Sequence, residues 1–417
     1  MNATALHDFN VGYDMNHESP FTRDYVKQTL QFLIDEYRVD LSKGFTQNNT
    51  LGNIGAWNAY DASRVAILND YRNTIWNANS TDIYMILEHL ADNSEEKALA
   101  DAGFMLWGKM TDQYNESSMG FGGNANIFRS YYNSRNFNNQ HLVAYAESHD
   151  EQRLMYKNLQ FGNNSNSSHN VRTLPVALDR QEAIAAMLYS IPGPKMLWQF
   201  GELGYELDID LNGRTGRKPI PWTLGYDTDA DRMDLYNVTA TMINFKTLYP
   251  DTFNSNTNNL DVSGLIKRIN LNGSQFDAVV VANFAVTAQN VNPNFSQTGT
   301  WFDYFNNNSA INVTNPTALM NLQPGEYKLY TTQQDPLSND DVRSSSSLIK
   351  LFPNPVSDTF RLSEEVESLR IYNVSGQLVK SFKGSQNHYG ISDLKQGMYF
   401  VELIHNDRVQ VEKLIKS

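Results

Sequence analysis

The sequence contains no cysteine, so it can form neither disulfide bonds nor thiolate metal sites. It also has no run approaching the ~20 apolar residues of a membrane-spanning helix, which predicts no transmembrane segment. Basic residues are in deficit, because 33 Lys and Arg stand against 46 Asp and Glu, for a formal net charge of −13. Binding to nucleic acid needs a basic surface, so we expect no nucleic-acid partner. The opening "MNATALHDFN" lacks the basic-then-apolar order of a signal peptide.

At 417 residues the chain is long enough for two or three domains. Its acidity suits an exported protein that acts on neutral substrates. Aromatic residues are plentiful, with 22 Tyr, 21 Phe and 6 Trp. Aromatic side chains stack on sugar rings but also fill cores, and by number alone the core interpretation is favoured.

Residues 1–250 alternate helical patterns with short apolar strands, which is typical of a parallel sheet covered on both faces. A first helix is predicted with Thr22 as its cap and an apolar face that includes Tyr25, Leu33 and Tyr37. The predicted strands and the second helix are, in order, Asp82–Leu90, Leu142–Asp150, the helix Asp179–Ser190, and a last strand over "KMLWQFGELG" that ends at Glu202.

The pattern changes near residue 250. Residues 251–334 contain strands separated by Asn, Gly and Ser turns, which predicts an antiparallel β-sandwich. Residues 335–347, "DPLSNDDVRSSSS", are a polar linker, and residues 348–417 predict a second, smaller β-sandwich.

Titratable residues stand where three of the predicted parallel strands end. They are Glu88, the pair His149 and Asp150, and Glu202. In an α/β barrel that edge carries the active site, because the βα loops converge there. Several carboxylates at one edge suit acid–base work on a glycosidic bond, with one protonated acid and one ionised carboxylate. The alternative for each single acid is a solvated loop residue or a helix cap.

These stretches resemble the α-amylase family of glycoside hydrolases. "MILEHLADNSEE" and "ESHDEQR" resemble its third and fourth conserved stretches, and "IPGPKMLWQFGELGYE" resembles its last barrel strand. "GRTGRKPIPW" resembles the loop after that strand, and "NVGYDMNHESPFTRDYVKQTL" the approach to the fourth strand. The resemblance implies an α/β fold, namely the C-terminal strands of a (β/α)8 TIM barrel followed by two antiparallel β-sandwich domains.

By this resemblance, Glu88 is the proton donor and Asp150 is the third carboxylate, which stabilises the transition state. His149 hydrogen-bonds sugar hydroxyls in the same subsite. The resemblance gives no chemical role to four other residues: Glu202 and Tyr205 shape the rim, and Arg214 and Arg217 serve loop packing or an outer subsite.

The nucleophile has two interpretations. The family pattern V-D-G-F-R-x-D-x-x-K corresponds here to "YRVDLSKGF", in which R-x-D-x-x-K is kept and V-D-G-F is missing. In one interpretation Asp40 is the nucleophile, Arg38 orients it and Lys43 lies at a leaving-group subsite. In the other, this stretch comes from a helix–strand junction and the true strand is deleted.

The resemblance starts at the approach to the fourth strand, which predicts an N-terminally truncated enzyme. Five strands cannot close a barrel, so we expect little hydrolysis by this chain alone. No cofactor is expected with certainty. Calcium remains an expectation for the longer parent only, since Gly44 stands where many relatives carry a calcium-holding His and the motif with an Asn ligand is absent.

The last region has its own resemblance. "FPNPVSDTFRL", "IYNVSGQLVKSF" and "GMYFVEL" are similar to the C-terminal sorting domain of the type IX (Por) secretion system of Bacteroidetes. This implies the secretion machinery as a partner and a secreted or outer-membrane-attached location. The alternative is a generic carbohydrate-binding sandwich.

Three functions stay open at this stage. The first is an exported hydrolase of α-1,4-linked, starch-like α-glucan polysaccharides or oligosaccharides, with a retaining mechanism. A transglycosylase or branching-type member of the same family has the same residues. The third is a non-catalytic surface α-glucan binder derived from a hydrolase.

Overall fold

The computed structural model describes residues 15–30, 36–46, 48–78, 80–81, 83–255, 258–338, 349, 351–373, 376–384, 386, 388–405 and 408–416. The chain divides into two compact units, Met1–Asp335 and Pro336–Ser417. The boundary lies at the first residue of the predicted linker, most of which is outside the described residues. The predicted boundary at residue 250, inside the first unit, stays a prediction.

Four parallel strands form the sheet of the first unit, in the order β1-β2-β3-β4. Their bounds are β1 Glu36–Val39, β2 Tyr84–Leu87, β3 Met105–Lys109 and β4 Leu142–Tyr145. Ala144 makes one further parallel bridge to Lys195. The sheet is parallel, as the sequence predicts, because short apolar strands joined by helices can be buried on both faces. A partial barrel beyond this sheet stays a prediction.

Helices connect these strands and follow them. Their bounds are α1 Pro20–Leu30, α2 Ile54–Asn58, α3 Ala62–Ala78, α4 Asn93–Asp101, α5 Thr111–Met119, α6 Leu154–Phe161, α7 Leu174–Ser190, α8 Ala230–Leu248 and α9 Pro250–Phe253. Gly108 lets β3 approach β4 closely, because a Cβ there would lie 2.9 Å from the Leu142 side chain and 3.3 Å from the Ala144 Cα.

Three predictions for the first unit are wrong in detail. The first helix begins at Pro20, before the predicted cap Thr22, and Tyr37 lies in β1 instead of on the helix face. The sequence interpretation also missed β3 altogether. The predicted last strand is reduced to the bridge at Lys195, because Phe200 takes the left-handed conformation (φ 67°) and Gly201–Leu203 form a 3₁₀ turn.

The rest of the first unit is antiparallel β-structure, as the sequence predicts. Six strands have the order β10-β9-β12-β7-β6-β5, and β11 pairs with β8 in a second, small sheet. Trp301, Val279 and Val281 are buried in its core. The bounds are β5 Asn259–Asp261, β6 Ile266–Asn272, β7 Asp277–Asn283, β8 Gln289–Val291, β9 Gly299–Asp303, β10 Ser309–Val313, β11 Met320–Leu322 and β12 Tyr327–Thr331.

The second unit consists of two antiparallel sheets, with the orders β13-β14-β17 and β16-β15-β18-β19. One apolar core includes Phe360 and Tyr389 from the first sheet and Leu369 and Val401 from the second. The bounds are β13 Leu351–Phe352, β14 Thr359–Leu362, β15 Ser368–Asn373, β16 Leu378–Lys383, β17 Tyr389–Gly390, β18 Gly397–His405 and β19 Arg408–Lys416. In neither unit do the described residues include a helix long and apolar enough to cross a bilayer.

Candidate active site

Five of the six sequence-predicted site residues meet at the C-terminal edge of the parallel sheet. We call Arg38, Asp40, Glu88, His149 and Asp150 the carboxylate cluster. Arg38 Nη1 lies 2.6 Å from Asp40 Oδ1, and its Nη2 contacts Glu88 Oε2. His149 Nε2 lies 3.6 Å from Asp40 Oδ1 and 3.5 Å from Asp150 Oδ1. Residues more than 100 positions apart are thus in direct contact.

The register of the neighbouring strands β1 and β2 brings the acids together. Arg38 is paired with Ile86 and Val39 with Leu87, so Asp40 and Glu88 both follow the last paired position. The main-chain N–H of Glu88 donates to Val39 O at 3.0 Å, which continues the pairing past the strand ends. The four-residue strand therefore does bring Asp40 to the edge.

The backbone bends sharply just past each acid. Leu41 follows Asp40 with φ 41°, and Leu90 lies two residues after Glu88 with φ 52°. A bulky side chain in this left-handed region costs of order 1–3 kcal/mol, and such residues concentrate at functional sites. Both strands end at these bends. The Asp40 side chain is 66% exposed, while that of Glu88 is only 5% exposed.

The two carboxyls differ in their affinity for a proton. Burial raises the pKa of Glu88 to about 7, assisted by its hydrogen bond to Asp40, while the charge of Arg38 opposes the rise. Burial acts to raise the pKa of Asp40 as well. The hydrogen bond from Glu88 and the charges of Arg38 and His149 outweigh it, so the pKa of Asp40 lies below 3.8. At pH 7 a substantial fraction of Glu88 therefore still holds a proton, while Asp40 is ionised.

Trp107 on β3 supports this cluster, and the sequence interpretation missed it. The Arg38 guanidinium lies 4.1 Å from the centre of the Trp107 ring, and the His149 ring packs edge-on against it at 5.9 Å. Cation–π attraction of this kind stabilises a guanidinium by about 0.5–2 kcal/mol. The signal available in the sequence was the aromatic residue in "FMLWGK", a strand that was not recognised.

Lys43 is not part of the carboxylate cluster. Its ammonium donates to Asn58 Oδ1 and to Leu90 O, both at 2.9 Å, and lies 4.3 Å from the Trp57 ring centre. Lys43 is buried, so in this arrangement it holds the loops after β1 and β2 together. A leaving-group subsite at Lys43 stays a prediction.

A buried hydrogen-bonded chain lies behind the cluster. Ser42 Oγ lies 2.8 Å from His89 Nδ1, and His89 Nε2 lies 2.7 Å from Glu95 Oε1. Arg64 completes the chain with hydrogen bonds of 2.6 and 2.8 Å to Glu95. The order Ser-His-Glu is that of a nucleophilic triad. All of these side chains are fully buried, so no substrate can reach them and they act as a support for the loop after Glu88.

The three acids that follow β4 make different contacts. Glu147 is buried and accepts from the Leu154 N–H at 2.8 Å, at the start of α6. Glu151 contacts Lys109 at 2.6 Å and accepts from the Ser148 hydroxyl. Asp150 alone of these acids faces His149, with its carboxylate 56% exposed.

One combination of ligand atoms suits a metal ion. One carboxylate oxygen from each of Asp40 and Glu88 and one ring nitrogen of His149 lie within 4.8 Å of one another. Tetrahedral zinc takes nitrogen and oxygen ligands at about 2.0–2.2 Å, so neighbouring ligands stand about 3.4 Å apart. The 3.6 Å between His149 Nε2 and Asp40 Oδ1 is close to that spacing.

The second unit is assigned by its sequence. Residues 350–417 match the family model described as "Secretion system C-terminal sorting domain". The chain carries a secretion system C-terminal sorting domain. All of the strands β13–β19 lie within this sorting domain, as the sequence resemblance implied. Among curated proteins, no sequence matches the chain.

Solved structures similar to this chain include α-amylases. The α-amylase of Geobacillus thermoleovorans complexed with acarbose is 11% identical, with a TM-score of 0.52 over 77% of this chain and 66% of that chain. An Anoxybacillus α-amylase, presented as a new glycosyl hydrolase subclass, is 14% identical, with a TM-score of 0.53 over 78% and 65%. AmyP in complex with maltose is 11% identical, with a TM-score of 0.51 over 75% and 68%.

The chain spans slightly less than two thirds of the length of the first two of these structures. At such low identity the likeness concerns the fold alone. The chain that carries the sorting domain therefore also has an α-amylase-type fold, in which a parallel α/β sheet accompanies antiparallel sheets.

Proposed function

We propose that this protein is an exported glycoside hydrolase that cleaves α-1,4-glucosidic bonds of starch-like α-glucans with retention of configuration. The observation that carries the proposal is the contact of Asp40 and Glu88 under Arg38, in which burial raises the pKa of Glu88 to about 7 while the hydrogen bond from Glu88 and the charge of Arg38 lower the pKa of Asp40. Two carboxyls with separated pKa values, side by side, supply the acid and the nucleophile of glycoside cleavage. The acarbose and maltose bound to two of the similar structures support an α-glucan as substrate.

The short distance between the carboxyls supports retention. One oxygen of Asp40 lies within 4.8 Å of one oxygen of Glu88, and Glu88 donates a hydrogen bond to Asp40. Retaining enzymes place the two carboxyl groups about 5–5.5 Å apart, whereas inverting enzymes leave about 6.5–9.5 Å for a water molecule.

In this mechanism Glu88 protonates the leaving glycosidic oxygen while Asp40 attacks the anomeric carbon. The C–O bond to the leaving sugar breaks, and a covalent glycosyl–Asp40 ester forms. Glu88, now ionised, takes a proton from water, which attacks the same carbon and releases Asp40. Asp150 stabilises the positive charge on the sugar ring, and His149 binds its hydroxyls.

The sorting domain supports export of the enzyme through the type IX secretion machinery. The exported enzyme is then secreted or attached to the cell surface, where it encounters α-glucans outside the cell. A net charge of −13 is compatible with neutral sugar polymers as substrates.

A second candidate function is non-catalytic binding of α-glucans. It is favoured by the direct Glu88–Asp40 hydrogen bond, since this bond occupies the gap where the anomeric carbon and the leaving oxygen would react. Transfer to a sugar acceptor instead of water, as in branching enzymes, would use the same residues. Product analysis distinguishes transfer from hydrolysis.

The proposed roles of Glu88 and Asp40 can be tested separately by comparing a substrate whose leaving group needs no proton with one whose leaving group does. With 2,4-dinitrophenyl maltoside, whose leaving group needs no proton, Glu88→Gln should still form the glycosyl enzyme, whereas Asp40→Asn should not. With maltoheptaose both variants should lose turnover by about 100-fold or more, the usual range for a lost acid. Asp227→Asn, which removes an exposed carboxylate far from the strand ends in sequence, is the control.

Among the described strands, β1 pairs only with β2 and leaves its other side open. Since the proposed nucleophile follows this edge strand, we expect low turnover from this chain. Burst release of dinitrophenol is therefore measured together with maltoheptaose binding by calorimetry. Binding without any burst, equal in the wild type and Asp40→Asn, would refute hydrolysis and favour the binding function.

A further inference from the structure

A cavity of about 400 Å³ lies beside the carboxylate cluster, and four basic residues are part of its lining. His149 and Trp198 form its wall toward the cluster, with their ring centres 6.1 Å apart. Among the described residues, no Asp or Glu lines the cavity, although the whole chain carries a net charge of −13. A positively charged cavity in an acidic protein needs a physical explanation.

Three of the lining cations come from one loop, "GRTGRK". They are Arg214, Arg217 and Lys218. The Lys218 ammonium donates to the main-chain oxygens of Gly213 at 2.7 Å and Gly216 at 3.0 Å. These oxygens are uncharged, so the bonds fold the loop without neutralising the ammonium.

The three cations differ in how far acids compensate them. Arg214 lies 4.0 Å from the Asp150 carboxylate and 3.8 Å from that of Asp210, which makes both pairs long and exposed. Such pairs contribute little. Arg217 is exposed and, within the part of the chain that the structure describes, forms no ion pair.

Arg153 also lines the cavity but has another task. Its guanidinium lies 5.1 Å from the Tyr205 ring centre and donates to Gln199 O at 2.8 Å. Burial lowers the pKa of Arg153, and the charges of Glu147 and Glu202 oppose this shift. The sites open to a ligand are therefore the cations of the loop, above all Arg217.

We infer that the basic cavity receives an anionic substituent of the bound glucan, with Arg217 as its main contact. A phosphate monoester, a sulfate ester or a carboxylate has the required chemistry, because a guanidinium binds such groups with two parallel hydrogen bonds. A neutral sugar can accept hydrogen bonds from Arg217 but leaves its charge without a counter-charge, whereas an anionic group supplies both. The inference rests on the proposed function, because it requires a sugar ring beside His149.

The test is calorimetric binding to the full chain carrying Glu88→Gln, so that no ligand is hydrolysed. Maltotriose is compared with its 6-phosphate, its 6-sulfate and a trisaccharide that ends in glucuronate. At low ionic strength we expect at least one anionic ligand to bind about 10-fold more tightly than maltotriose, equivalent to about 1.4 kcal/mol. Arg217→Gln should remove that preference, because it lowers the affinity for the preferred anionic ligand about 10-fold more than the affinity for maltotriose.

Arg129→Gln, which removes another exposed arginine of the same unit, is the matched control and should keep the preference. The ranking of the three anionic ligands identifies which anion the cavity selects. Equal binding of all four ligands would overturn the inference, as would equal weakening of all four by Arg217→Gln. Failure of every ligand to bind would instead refute the proposed α-glucan function, so the two failures are distinguishable.

Discussion

The Glu88 carboxyl should make the protein less stable at neutral pH than a neutral side chain would. Burial raises the pKa of Glu88 from 4.5 to about 7, and a buried group that is forced to ionise opposes folding. We therefore expect Glu88→Gln to stabilise the first unit, even though it removes the proposed acid. Gln keeps the shape of the protonated carboxyl and an N–H donor for Asp40.

The direction and size of the effect follow from the two pKa values. A carboxyl whose pKa is higher in the folded protein holds its proton more tightly there. Its contribution to stability is complete below pH 4.5 and is lost as the pH rises through about 7. At about 1.36 kcal/mol per pH unit, the rise corresponds to about 3 kcal/mol. The variant should thus exceed the wild type by about 3 kcal/mol above pH 7 and equal it near pH 4.5.

Urea unfolding followed by tryptophan fluorescence measures this difference in the first unit alone. All six tryptophans lie between Trp57 and Trp301, so unfolding of the sorting domain produces no tryptophan signal. Asp227→Asn removes one exposed charge and should change the midpoint little at either pH. Equal stability of Glu88→Gln and the wild type at about pH 8 would refute the reasoning, as would a gain that is just as large at pH 4.5.

Three further predictions concern the surroundings of the site. Arg64→Leu leaves buried Glu95 without its cation and should lower the free energy of unfolding by about 3–5 kcal/mol in the same fluorescence assay. Zinc should bind at the carboxylate cluster and be lost from it in His149→Gln, which titration calorimetry with zinc alone can check. Tyr327→Phe removes the 2.9 Å hydrogen bond to half-buried Glu182 and should cost about 1–3 kcal/mol of unfolding free energy. An unchanged urea midpoint in either stability variant, or equal zinc affinity in His149→Gln, would contradict the corresponding prediction.

Strands β2 and β4 were predictable because each is a short apolar run that ends at a titratable residue. Strand β3 has the same composition, but no acid marks its end and it was missed. The strand expected before Glu202 does not form, and the reason lies in the backbone conformation of this stretch. Its apolar residues are typical of a strand. Phe200 and Gly204, however, take left-handed conformations, which interrupt an extended chain.

The pattern of titratable residues at strand ends drew attention to Glu88, His149 and Asp150, while Asp40 and the roles of all four came from the resemblance to the α-amylase family. The burial of Lys43 was not predictable, because a lysine in a sequence motif looks the same whether it faces a ligand or the carbonyl of Leu90. Partners distant in sequence decide that difference.

The sequence by itself determined the chemical inventory: which acids and bases exist, that the sheet is parallel, and that a sorting domain follows. The tertiary structure decided how those groups act. Only folding brings Asp40 and Glu88, 48 positions apart, into one hydrogen bond under Arg38, and only burial separates their proton affinities. A pKa depends on the solvent and charges within a few ångströms, and these neighbours come from strands that are distant along the chain.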